Sequence, residues 1–94
     1  MDYTVYFTDD EKMDLRGIAF RIAQDNPSRA LSFASELEER AVKTLSISPK
    51  GGTVYKEKTR YMVFGNYIML YEADGAERAV YIFQIFAGGA NWKK

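Results

Sequence analysis

The chain has no cysteine and no histidine among its 94 residues. Without cysteine there is no disulfide framework and no thiol chemistry, and the composition suits a reducing compartment. Without histidine, the commonest general base, the commonest transition-metal ligand and the usual switch near neutral pH are gone. Any catalysis falls to carboxylates, Lys, Arg or Tyr, and neither a metal nor a cofactor is expected. No apolar run is long enough for a membrane span, and the start, M-D-Y-T-V-Y-F, has neither the basic segment nor the apolar stretch of a leader. Phosphate-binding glycine loops, G-x-S-x-G, H-E-x-x-H and calcium-loop spacings are also missing.

Net charge is absent too, with 13 basic and 13 acidic side chains. The balance is uneven along the chain. Residues 1–49 hold six basic and nine acidic groups, and residues 50–94 hold seven and four. The second half therefore offers a basic face to an anionic partner, or shows only ordinary surface variation.

What the chain does have is aromatic and apolar residues, at 15% and 47% of the whole. That is enough for one core, so residues 1–94 are expected to form a single domain. The densest stretch runs from Lys58 to Phe86. It contains three apolar, aromatic-rich runs separated by Gly65-Asn66 and by Asp74-Gly75. Both breaks suit tight antiparallel turns, Asp74-Gly75 the more strongly, and predict a three-strand meander. In its second strand Tyr67, Met69 and Tyr71 share one face, and Ile68, Leu70 and Glu72 the other. In its last, Ala79, Tyr81, Phe83 and Ile85 oppose Val80, Ile82, Gln84 and Phe86. Both faces are apolar, and the tyrosine-bearing face is the expected functional surface.

Upstream, Tyr3 to Phe7 alternates with β-branched residues and reads as a first strand. Thr8 and Glu11 have the spacing of a capping box, in which Thr8 accepts from an amide of the first turn and Glu11 reaches back. Asp9, Asp10 and Glu11 suit the positive end of a helix dipole, which explains the acidic run without a metal. Leu15, Ile18, Ala19 and Ile22 then form a helical stripe that stops near Gln24–Asn26. Asn26-Pro27 starts a second helix, with Asn as cap and Pro at the first position. Its stripe is Ala30, Ala34, Leu37, Ala41 and Leu45, with Phe33 beside it. Pro49 and Gly51-Gly52 end it, and Val54-Tyr55 leads into the sheet. The order is β-α-α-β-β-β, an α+β fold with a two-helix hairpin on one face of a mostly antiparallel sheet. The neighbour of the first strand is not set by the sequence.

The one chemically suggestive group is basic and aromatic: Lys56, Lys58, Arg60, Tyr61, Tyr71, Arg78 and Tyr81. Lys and Arg hold phosphates, and Tyr stacks on bases or exchanges protons. The same residues could equally be the solvent side of ordinary strands. Arg60 in particular could pair with Glu57, Glu72 or Glu77.

The chain resembles the RelE/ParE superfamily of bacterial type II toxins, also called plasmid stabilisation proteins. The likeness is carried by D-L-R-G-I (Asp14–Ile18), N-P-S-R-A-L-S-F (Asn26–Phe33), Glu36-Leu37, Leu45 and S-P-K-G (Ser48–Gly51). It continues through Arg60, G-N-Y-I-M-L-Y-E (Gly65–Glu72) and the closing I-F-Q-I-F-A-G-G-A-N-W. It spans about Tyr3 to Trp92, and the helical motifs are closest to the ParE-like branch. The resemblance implies the same β-α-α-β-β-β fold, a small cytoplasmic protein and a cognate antitoxin that wraps its surface. It also implies one of two targets. ParE-like members poison DNA gyrase by binding. RelE-like members cut mRNA on the ribosome, for which the residues here would be Arg60, Arg78, Tyr71 and Tyr81.

The closing strand departs from the family ending R-V-x-H-x-x-R-D. Gln84, Ala87, Ala90 and Asn91 stand where Arg, His, Arg and Asp are usual, so cations that would gather on a scissile phosphate are missing. The expected reading is therefore a gyrase-binding toxin without catalytic residues. Its interaction surface is expected at Lys58, Arg60, Arg78, Trp92, Lys93 and Lys94. Ribosome-dependent RNA cleavage is the alternative, and a disarmed member that retains only partner binding is a third reading.

Overall fold

The computed structural model describes residues 2–88. The order is β1 (Thr4–Phe7), α1 (Asp9–Asp25), α2 (Pro27–Ile47), β2 (Thr53–Lys56), β3 (Thr59–Phe64), β4 (Tyr67–Asp74) and β5 (Ala79–Ala87). The strands form one sheet in the order β1-β5-β4-β3-β2. Strands β2 to β5 run as an antiparallel meander, while β1 pairs in parallel with β5, so the sheet is mixed. The helix hairpin on a mostly antiparallel sheet is the expected α+β arrangement, with one strand more than expected.

That extra strand is β2. It turns into β3 through Glu57-Lys58, with Glu57 at φ 53°. A left-handed backbone at Glu57 carries no Gly or Asn signal, so the local sequence does not announce the turn. Gly65, at φ 62°, does announce the next one. The β4–β5 connection is not the expected two-residue turn. Asp74 pairs with Ala79, and its carboxylate accepts from the amides of Ala76 (3.0 Å) and Glu77 (3.2 Å). Arg78, rather than Gly75, takes the positive φ, at 53°. The aspartate side chain makes the turn there and spares the glycine that duty.

The helices begin as their caps dictate. Thr8 Oγ1 accepts from the Glu11 amide (3.3 Å), and Asn26 Oδ1 accepts from the Arg29 amide (3.1 Å). A single residue, Asn26, separates the helices. The capping box, however, is only half formed. The Thr8 amide and hydroxyl both donate to the Ile82 carbonyl at 3.0 Å, so Thr8 ties α1 to β5 and Glu11 does not reach back. On α2 the buried stripe is Ala30, Phe33, Leu37, Ala41 and Leu45. Phe33 takes the place expected for Ala34, which lies partly buried beside it.

The core lies between the helices and one face of the sheet. Leu15, Ile18, Phe33, Leu37 and Leu45 meet Phe64, Met69, Tyr71, Val80, Ile82 and Ile85. This corrects the expected functional face. Met69 and Tyr71 are fully buried, and Tyr67 packs against the same core. In β5 the expected alternation breaks as well. Leu70 pairs with Gln84 and Tyr71 with Ile82, which leaves Phe83 as an extra residue. This bulge moves Ile85 onto the core side with Val80 and Ile82.

Candidate functional site

Three of the basic and aromatic residues, Lys58, Arg60 and Tyr81, gather at one corner of the molecule, where the loop after α2 meets the start of β3 and the end of β4. A depression of about 520 Å³ lies there. Lys50, Lys58, Arg60 and Tyr81 line it, and so do Glu57, Glu72 and Asp74. Its cations are therefore matched by carboxylates. Thr59 adds a hydroxyl that donates to Glu72 Oε2 at 3.3 Å.

Two of the residues singled out by sequence hold the corner together. Arg60 Nη1 donates to the carbonyls of Gly52 (2.9 Å) and Lys50 (3.2 Å). Its partners are thus backbone oxygens of the loop, in place of Glu57, Glu72 or Glu77. Tyr71, paired with Arg60 across β3 and β4, is fully buried. Its hydroxyl accepts from the Gly52 amide at 2.8 Å. Burial raises the Tyr71 pKa above the ordinary tyrosine value, against the opposing pull of the Gly52 amide and the Arg60 charge. Gly52 has to be glycine: a Cβ there would lie 2.5 Å from the Tyr71 hydroxyl and 2.6 Å from the Tyr61 carbonyl oxygen.

Tyr81 sits on the other side of the corner. Its ring stacks on Tyr6, with centroids 5.4 Å apart and planes 16° from parallel. Its hydroxyl donates to Glu77 Oε1 at 3.1 Å, and this bond, ahead of the surrounding negative charge, raises its pKa. Arg78 is exposed in the β4–β5 turn and does not line the depression; its carbonyl accepts from the Thr4 amide at 2.9 Å. Gln84 and Ala87 are exposed on β5. Ala90, Asn91, Trp92, Lys93 and Lys94 lie outside the described residues. The fold therefore unites Lys58, Arg60 and Tyr81, buries Tyr71 beneath the loop and sets Arg78 apart.

Two acidic residues of α1 carry roles that sequence reasoning missed. Asp14 Oδ2 accepts from the Ile85 amide at 3.2 Å, so the acid of the D-L-R-G-I motif fixes α1 to β5 next to the bulge. Glu11, one turn earlier, is fully buried, and among the described residues neither carboxylate oxygen has a hydrogen-bond partner. Burial, then the charges of Glu38 and Asp14, raise its pKa from 4.5 to about 7. No spacing signal marks either role, since each depends on contacts between distant parts of the chain. Among the described residues no group of three or more carboxylates is arranged to hold a metal ion, and no helix is long and apolar enough to cross a membrane.

Solved structures share this architecture. A chain of the toxin-antitoxin complex RelBE2 from Mycobacterium tuberculosis is 24% identical, with 94% of this chain and 93% of that one covered at a TM-score of 0.70. A chain of the chromosomal ParDE toxin-antitoxin system from P. aeruginosa is 17% identical over 93% and 97% of the two chains, at a TM-score of 0.77. The isolated E. coli RelE toxin is 13% identical over 96% and 88%, at 0.63. No curated protein matches the chain. Residues 5–92 match the family described as the ParE toxin of the type II toxin-antitoxin system, parDE. That match begins within β1 and runs through β5, and the chain belongs to the ParE toxin family of type II toxin-antitoxin systems.

Proposed function

We propose that this toxin acts by binding a topoisomerase, DNA gyrase, in the cytoplasm, and that a cognate antitoxin neutralises it by covering its surface. The observation that carries the reading is the use the fold makes of its polar groups. Arg60 spends a guanidinium nitrogen on two loop carbonyls, and the Tyr71 hydroxyl is sealed under Gly52. The Tyr81 hydroxyl is held by a carboxylate. RNA cleavage needs preorganised cations around a phosphate that gathers charge in the transition state. Here the nearby acids Glu57, Glu72 and Asp74 offset the cations, which opposes a polyanion at the corner. A toxin that works by binding needs no such cluster. Lys58, Arg78 and the segment with Trp92, Lys93 and Lys94 then supply contact groups for gyrase or antitoxin, with Arg60 shaping the loop 50–52. One observation favours ribosome-dependent RNA cleavage as the second reading: Lys58, Arg60 and Tyr81 do line one depression.

The test is induced expression of the chain alone in a bacterial host, with the DNA-damage response and protein synthesis followed together. It is paired with a supercoiling assay on purified gyrase. Arrest with DNA breaks while translation continues, and inhibition of supercoiling by the pure protein, are the expected results. Early loss of translation, abolished by Lys58→Ala or Tyr81→Phe, would replace the proposal with RNA cleavage. Growth without arrest, together with no effect on gyrase, would mark a disarmed member.

A further inference from the structure

The outward side of α1 carries Met13 and Phe20, which are 68% and 69% exposed. Gly17 lies between them, one turn from each. At 100° per residue the three point directly away from Leu15, Ile18 and Ile22, which face the core. A glycine inside a helix is less favourable than alanine. Among the described residues nothing uses the room that Gly17 leaves: apart from the helix's own backbone, no atom lies within 4 Å of where its Cβ would stand. The result is a notch between two apolar knobs, a shape that admits another helix at close range.

The charges beside the notch select the occupant. Asp10 and Arg21 lie on the same flank of it, both exposed and, among the described residues, both without an ion-pair partner. When two copies of α1 cross antiparallel at Gly17, Asp10 of one falls beside Arg21 of the other. A two-fold axis makes that pair twice. Met13 of each copy then lies beside Phe20 of the other. We infer that this face is a self-association surface, occupied by α1 of a second copy of the chain in antiparallel, two-fold arrangement. Arg16 of the two copies meets on the opposite flank, and a contact of one helix from each copy falls short of the roughly 800 Å² per partner typical of a stable complex. The pair is accordingly weak and reversible, with the monomer dominant at low concentration.

Because the chain has no cysteine, Gly17→Cys introduces a lone thiol, in open space, at the crossing point. Mild oxidation of the purified variant should give a disulfide-linked dimer at least about tenfold faster than Ser35→Cys, a control on the exposed side of α2. Asp10→Arg in the Gly17→Cys background should slow the crosslink, and adding Arg21→Asp should restore it. Sedimentation equilibrium of the unmodified chain should show dimer at high concentration, and Phe20→Glu should abolish it with the circular dichroism spectrum unchanged. A chain that stays monomeric throughout, or a Gly17→Cys crosslink no faster than the Ser35→Cys control, would overturn the inference and leave the face to a different partner. A crosslink indifferent to the charge reversal would overturn the antiparallel pairing. None of these outcomes depends on gyrase or on toxicity.

Discussion

Two buried corners of this molecule handle polar groups in opposite ways. At one, Tyr71 and Arg60 meet the loop 50–52: the buried Tyr71 hydroxyl accepts from the Gly52 amide, and the Arg60 guanidinium donates to the carbonyls of Lys50 and Gly52. At the other, Glu11 is as deeply buried as Tyr71 but has no hydrogen-bond partner for its carboxylate among the described residues, and burial, then the charges of Glu38 and Asp14, raise its pKa. Burial alone therefore says little about the worth of a polar side chain. A satisfied group in a dry site stiffens the structure, whereas an unsatisfied one is a standing cost. The first corner holds the candidate surface around Lys58 and Tyr81 in shape. The second lies under the start of α1, where the cost is borne by the helix hairpin.

The contrast is broken most severely by Gly52→Ala. The added methyl would press on a backbone carbonyl and on the Tyr71 hydroxyl, and the Gly52–Tyr71 bond would be lost with the shift. A loss of about 3–4 kcal/mol is expected, seen as a lower denaturant midpoint. A stable variant would show that the loop can retreat and that the corner is softer than argued.

Glu11→Gln should act in the opposite direction. Glu11 has a folded-state pKa of about 7 against an ordinary 4.5, so between those values the native state binds more protons than the unfolded one. Stability from this group falls as pH rises through that window, and the full cost is present above it. Glu11→Gln should therefore stabilise the protein by about 2–3 kcal/mol at pH 8, with the gain fading toward pH 5. Equal melting temperatures for the two proteins across that range would remove Glu11 from the account.

A smaller effect is expected for Tyr71→Phe, which keeps the ring and orphans the Gly52 amide, at about 1–2 kcal/mol of stability. Loss of the hydroxyl should also leave Arg60 less well held, which a shift of the Lys50 and Gly52 amide resonances would report. Asp14→Ala comes last. It frees the Ile85 amide but also relieves repulsion on Glu11, so the net loss should be about 1 kcal/mol or less. Asp14→Asn, which keeps an acceptor and removes the charge, separates the two effects. It should be neutral or slightly stabilising at pH 8.

Much of the fold is legible in the sequence because its signals are local. Thr8 and Asn26 cap the helices as their side chains require, Pro27 stands at the first helical position, and Gly65 turns the β3–β4 hairpin. The missed strand β2 is bounded by a turn at Glu57-Lys58 that has no glycine or asparagine to mark it. The candidate site is legible only as a list of residue types. Lys58, Arg60 and Tyr81 do converge, but the roles of Arg60 and Tyr71 come from partners 8 to 19 residues away. Reach-back of Glu11 to its cap is a sound expectation from spacing. It fails because the Thr8 amide is claimed by Ile82, 74 residues downstream in sequence.

By itself, the sequence determined the helix hairpin, its caps, the β3–β4 hairpin and the absence of thiol and imidazole chemistry. Those follow from interactions within one or two turns of chain. Only the tertiary structure decided which face of β4 is inside, because both faces are apolar and periodicity cannot choose between them. It also decided that β1 lies parallel to β5, that a bulge at Phe83 turns Ile85 inward, and that Tyr71 serves the loop in the core and not a surface. Each of these rests on contacts between segments far apart in the chain, where packing and hydrogen-bond satisfaction outweigh local preference.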